Sequence, residues 1–106
     1  MDNFRIIYRI LRILEKAMDC EEFDRHMISA EALGLSEARR TAILKMLAEN
    51  GYVQGLDISK GLQGDVTISM RRPEITLKGL EYLEENSLMK KAAALAKGIK
   101  DIVPGI

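Results

Sequence analysis

Covalent or acid–base chemistry in this chain would have to begin at Cys20 and His26, its one cysteine and one histidine. A thiolate nucleophile needs a base within hydrogen-bond reach and a third group to orient that base. Cys20 and His26 bracket the stretch CEEFDRH, and no second cysteine or histidine exists to complete a relay or a tetrahedral metal site. Cys20 therefore reads as a small residue at a helix end. A lone cysteine also leaves no internal disulfide to form, and nothing points to an oxidising compartment. The acids Glu21, Glu22, Asp24, Glu84 and Glu85 read as solvated charge near helix boundaries. No G-x-x-x-x-G-K-[ST] loop is present, nor a G-x-G-x-x-G after a strand. The expectation is a protein that is not an enzyme, with no catalytic residue, metal or cofactor.

What remains is the chemistry of binding. Sixteen basic and sixteen acidic side chains cancel, so affinity for phosphate would have to come from local clusters. Arg5, Arg9, Arg12 and Lys16 form the densest one. Its readings stay open: a solvated helix face balanced by Glu15 and Asp19, or phosphate contacts made by arginine forks beside a binding groove, or a dock for an acidic partner. The stretch LSEARRTAILKMLAENGYV turns Ala38, Thr41, Ala42, Lys45 and Glu49 outward, with Arg39 and Met46 at one margin. Reading base edges takes long donors and acceptors, and this face holds few. Arg39 and Lys45 are its candidates for double-stranded DNA, joined by Lys60, Arg71 and Arg72 from a hairpin. Arg40 leans inward, toward an acid in the Glu21 to Glu31 region. On the same helix Ala38, Ala42 and Met46 make an i, i+4, i+8 line suited to close approach of another helix. Leu95, Ile99 and Ile102 offer a second possible interface.

The elements that position these residues follow from periodicity. Asp2 to Cys20 reads as a long helix, Ile6, Ile7, Ile10, Leu11, Ile13, Leu14, Ala17 and Met18 sharing one broad face. Asp2 or Asn3 would cap it. CEEFDRH is a connection, and His26 to Ile28 has the makings of a brief strand. Ser29 caps a short helix that Gly34 ends; Ser36 caps a third helix that Gly51 ends. Alternation in Val66 to Met70 marks a strand paired with Tyr52 to Ile58 across the loop SKGLQGD. Pro73 is expected to stop the second strand. Thr76 then opens a helix through Asn86 in which Gly79 permits close packing on the hairpin, and Ser87 restarts a last amphipathic helix. That last helix has a basic far side but no Trp or Phe anchor, so it is expected to pack on protein rather than on a membrane.

The order predicts an α+β winged helix-turn-helix with a long N-terminal helix, a β-hairpin wing and an extra C-terminal helix. Five helices and a two- or three-stranded sheet are expected, in a single domain over residues 1–106, with a core of 1–86 and an amphipathic helix from 87 to 106. No run approaches the ~18 apolar residues of a membrane span, and FRIIYRILRIL carries too many arginines for a signal peptide. A cytoplasmic protein is expected.

The block ENGYVQGLDI, then a hairpin, then RRPEITLKGLEYLEENSLMKKA resembles the YjcQ-like family of small bacterial and prophage proteins. The likeness runs from about Ser29 to Lys91. Its core, Thr76-Leu77-Lys78-Gly79 with Leu80 and Leu83, is shared more widely among winged-helix regulators. The resemblance implies a winged-helix-like domain of phage or prophage origin and brings no catalytic residues. Two functions are carried forward: a small DNA-binding or regulatory protein, or a protein-interaction module, a homodimer or a binder of another phage or bacterial protein, without DNA affinity.

Overall fold

The computed structural model describes residues 3–96, with side chains from 3 to 87. Helix α1 (Asn3–Ala17) is followed by a 3-10 turn (Arg25–Ile28), α2 (Ala30–Leu33), α3 (Glu37–Glu49), the strands β1 (Val53–Lys60) and β2 (Val66–Ile75), and α4 (Leu77–Ala96). Among the described residues, four α-helices and one antiparallel hairpin form a mixed α+β fold with the layout of a winged helix-turn-helix.

The core is built on α1. Ile6, Ile10, Leu11 and Leu14 are buried along its inner face, and Ile28, Leu33, Ile43, Leu44 and Leu47 close over them. Each such side chain removed from water stabilises the fold by roughly 1.5–3 kcal/mol. Met18, expected on the inner face, is instead largely exposed. The helix ends at Ala17 and the chain turns, so the 3.6-residue period no longer aims Met18 at the core.

Capping follows the sequence closely. The Ser29 hydroxyl accepts from the Ala32 N–H and the Ser36 hydroxyl from the Arg39 N–H, both at 3.1 Å. At the end of α3, Gly51 adopts φ +79°. The Tyr52 N–H then reaches back to the Leu47 carbonyl at 2.9 Å, the 6→1 bond of a Schellman turn.

Three sequence expectations are corrected. His26 to Ile28 is a 3-10 turn, not a strand, because the Asp24 carboxylate accepts from the His26 N–H and starts a turn instead. The sheet accordingly has two strands among the described residues. Pro73 does not stop β2, which continues to Ile75. Opposite it the register slips between Gln54 and Leu56. Gly55 sits in that irregularity at φ +84°, so close to Arg72 that a Cβ would strike its carbonyl. The slip falls at the residue that lacks an N–H for the ladder, so the strand passes through proline. Finally, Ser87 does not restart the chain: α4 is one helix from Leu77 to Ala96, so the described residues hold four α-helices where five were expected of the chain. Serine is a weak helix breaker without a tertiary reason to break.

The junction between hairpin and α4 is tight. The Thr76 hydroxyl accepts from the Gly79 N–H at 3.1 Å and donates to the Gly51 carbonyl at 2.5 Å. A Cβ at Gly79 would collide with the Tyr52 carbonyl and the Ile75 side chain. The expected close packing of this glycine on the hairpin is present. Tyr52 and Tyr82 meet edge to face at 5.5 Å, and the Lys78 ammonium lies 5.0 Å from the Tyr52 ring centre.

Candidate functional site

Helix α3 sits against α1 and the hairpin with Ile43, Leu44 and Leu47 inward. Its outward side keeps Ala38, Ala42 and Met46 exposed and Lys45 half-buried. Beside these residues runs a groove of about 460 Å³, open to solvent. Its walls are Ser36, Ala38, Arg39, Ala42, Ile43 and Met46 from the third-helix region, and Asn3 from α1. The line of small and flexible residues that sequence periodicity picked out therefore borders this one groove, whose opposite rim is polar at Asn3, Ser36 and Arg39.

The charge in that groove is fixed in place. Arg39 donates from Nη1 to the Asn3 side-chain carbonyl at 2.6 Å, across 36 positions of chain. The bond ties the start of α3 to the start of α1 and holds the guanidinium at the rim. Asn3 entered the sequence reading only as a helix cap; nothing in its spacing marks it as an arginine acceptor. Arg40 leans inward as expected and meets the Glu21 to Glu31 region. Its partner there is a backbone carbonyl, that of Ile28 at 2.7 Å, not an acid.

The other basic candidates divide sharply. Arg72 donates to the Glu21 and Cys20 carbonyls, each at 2.6 Å, and to the Ala17 carbonyl at 3.0 Å. The Ala17 carbonyl, which also accepts from the Cys20 N–H, ends α1, and Cys20 and Glu21 lie in the turn just beyond, so Arg72 from β2 sits at the C-terminus of α1 and opposes its negative pole. Arg71 points the other way, 3.7 Å from the Asp57 carboxylate on an exposed strand face. Lys60 is exposed at the end of β1. On α1, Arg9 donates to the Ala32 carbonyl at 3.0 Å, and Arg12 pairs with Glu15. The evenly spaced basic stripe is thus partly a set of ties within the fold.

The hairpin tip holds one further feature. Leu62 is fully exposed between Lys60 and Gln63, and Gly61 to Asp65 form the loop beneath it. Of the second proposed interface, Leu95 lies in α4 with its side chain outside the description, and Ile99 and Ile102 are outside the described residues. Among the described residues, no group of His, Cys, Asp and Glu is gathered to hold a metal, and no helix is long and apolar enough to cross a membrane.

Comparison with known proteins gives one match. A family model described as YjcQ protein matches residues 8–102, a longer span than the blocks quoted from the sequence. No curated protein and no solved structure matches the chain.

Proposed function

The chain belongs to the YjcQ protein family, and on that footing we propose that it is a non-catalytic, winged-helix protein-interaction module whose contact is the outward face of α3. One observation carries the reading. The helix that would enter a DNA groove presents a solvent-open groove with Ala38, Ala42, Ile43 and Met46 along one side and Ser36, Asn3 and the Asn3-tied Arg39 along its rim. A major-groove reader needs side chains that reach base edges, and each good bidentate contact is worth about 1–3 kcal/mol of discrimination. Two alanines and a methionine supply none of that. They supply instead the close approach and adaptable fill that helix packing uses. Neutral overall charge and the engagement of Arg72 on α1 both lower the electrostatic drive toward phosphate.

The test is fluorescence anisotropy of random duplex DNA across a salt series. The proposed module leaves the signal flat at low salt. Binding that falls steeply as salt rises, and that Lys45→Glu weakens, would refute it.

A second reading is favoured by Leu62. An apolar residue at a ribbon tip with Lys60 and Gln63 beside it has the chemistry of a minor-groove wedge, which unstacks a base step while its neighbours hold the backbone. Lys60 and Arg71 would then make the DNA contacts of a small regulatory protein. Leu62→Ser separates this from simple phosphate attraction: it abolishes DNA bending while leaving the salt slope unchanged.

A further inference from the structure

We infer that the outer part of the hairpin is an arm that opens from the body of the fold as a unit, with Arg72 as the latch that holds it closed. The ladder is in two pieces. At the base Val53 pairs with Ile75 and Gln54 with Glu74; beyond the slip, Leu56 to Lys60 pair with Met70 to Val66. Between the pieces Gly55 alone faces Arg71, Arg72 and Pro73. Such a bulge interrupts the ladder and bends the strand. Burial changes at the same point. Val53, Pro73 and Ile75 are buried, whereas no residue from Leu56 to Met70 is. The arm touches the core through the half-buried Leu56, Ile68 and Met70. A two-stranded ribbon without such support is marginally stable in water, so an arm that leaves the body also loses its ladder.

Arg72 sits in that bulge. Gly55 lies against its carbonyl with no room for a Cβ, which fixes where the side chain starts. From there the guanidinium donates to the Ala17 carbonyl at 3.0 Å and to the Cys20 and Glu21 carbonyls at 2.6 Å each. All three acceptors belong to α1 and the turn after it, outside the sheet. Releasing the arm releases the bulge, and with it these bonds. The latch makes the position of the wing depend on the turn after α1: displacing the Cys20 and Glu21 carbonyls frees the arm. A partner that takes up the freed arm, with Leu62 at its tip, has first to break the same three bonds. Elements that move on binding come from the least stable part of a fold.

The experiment is amide hydrogen exchange on the full chain, read residue by residue by NMR at a series of low urea concentrations. Arm amides are expected to exchange through an opening that urea barely promotes, because it exposes little surface; those of α1 and α3 should wait for global unfolding, which urea promotes steeply. Arg72→Ala should speed arm exchange about ten- to a hundredfold, since it removes charge-assisted bonds that only the closed state makes. Core amides should speed up by the same factor and keep their steep urea dependence, global unfolding having broken the same bonds. Arg71→Ala, on the other face of the strand, should change arm rates no more than about fivefold. Arg72→Lys, which lacks the planar fork, should act nearly as strongly as alanine and carries the test if the alanine variant does not fold. Arm amides that share the urea dependence of α1 and α3 overturn the inference, because there is then no separate arm. A local opening that neither Arg72 variant accelerates overturns it too, because the three bonds then survive the opening.

Discussion

Two arginines in this chain look alike in sequence and do opposite things. Arg72, at the base of the hairpin, donates inside the fold, to the carbonyl of Ala17 at the end of α1 and to those of Cys20 and Glu21 in the turn beyond it. Arg71, next to it, extends from the other face of the same strand and has only the exposed Asp57 nearby. Strand alternation separates them: neighbours on β2 point to opposite sides. The same division holds for larger regions. At the hairpin–α4 junction a Cβ at Gly55 or Gly79 would strike a backbone carbonyl, Gly51 is held by its positive φ, and the Thr76 hydroxyl is tied on both sides. On the outward face of α3, Ala38, Ala42 and Met46 border open space. Constraint marks where the fold is made. Its absence, on the outward face of α3, is what the proposed docking role rests on.

That contrast can be broken by substitution. The largest effect is expected at Gly79. Gly79→Val should destabilise by about 3 kcal/mol, since overpacking here strikes a backbone carbonyl that cannot rotate away; urea unfolding followed by circular dichroism reads it. Arg72→Ala should cost about 2 kcal/mol, the worth of charge-assisted hydrogen bonds at a partly exposed site. Lysine at this position should recover little, because one ammonium does not reproduce a planar fork. Thr76→Ala should cost about 1 kcal/mol through loss of the cap on α4. Ala42→Arg should fall within about 0.5 kcal/mol of the parent in the same assay, as expected of an exposed helix position. An Ala42 variant as damaging as Gly79→Val would erase the distinction between the two regions.

Much of the fold was legible. The caps at Ser29 and Ser36, the glycine ends at Gly34 and Gly51 and the pairing of Val66 to Met70 with the segment after Tyr52 all depend on contacts a few residues long. Local chemistry decides such features, so a local reading finds them. The misses were cases where one local signal was overridden. Pro73 stays in its strand because a bulge at Gly55, some eighteen residues earlier, removes the demand for its N–H. Ser87 stays in α4, continuing a helix already begun at Leu77.

The candidate site was half legible. Helical periodicity placed Ala38, Ala42 and Met46 on one line, and the groove lies along it. Periodicity had no means of finding the other wall. Asn3 reaches Arg39 only because α1 and α3 pack against a shared core. Nor does a count of basic residues show which of them a fold has already engaged.

The sequence by itself determined the order of helices and strands, their caps, and which face of each helix is apolar, because these rest on backbone stereochemistry and on the burial of side chains at a fixed period. Only the tertiary structure decided which charges remain available. Arg72 closes a helix more than fifty positions away, and Arg39 is held by the opening residues of the chain. A hydrogen bond of that kind depends on where two distant segments come to rest, and packing of the shared core sets that position.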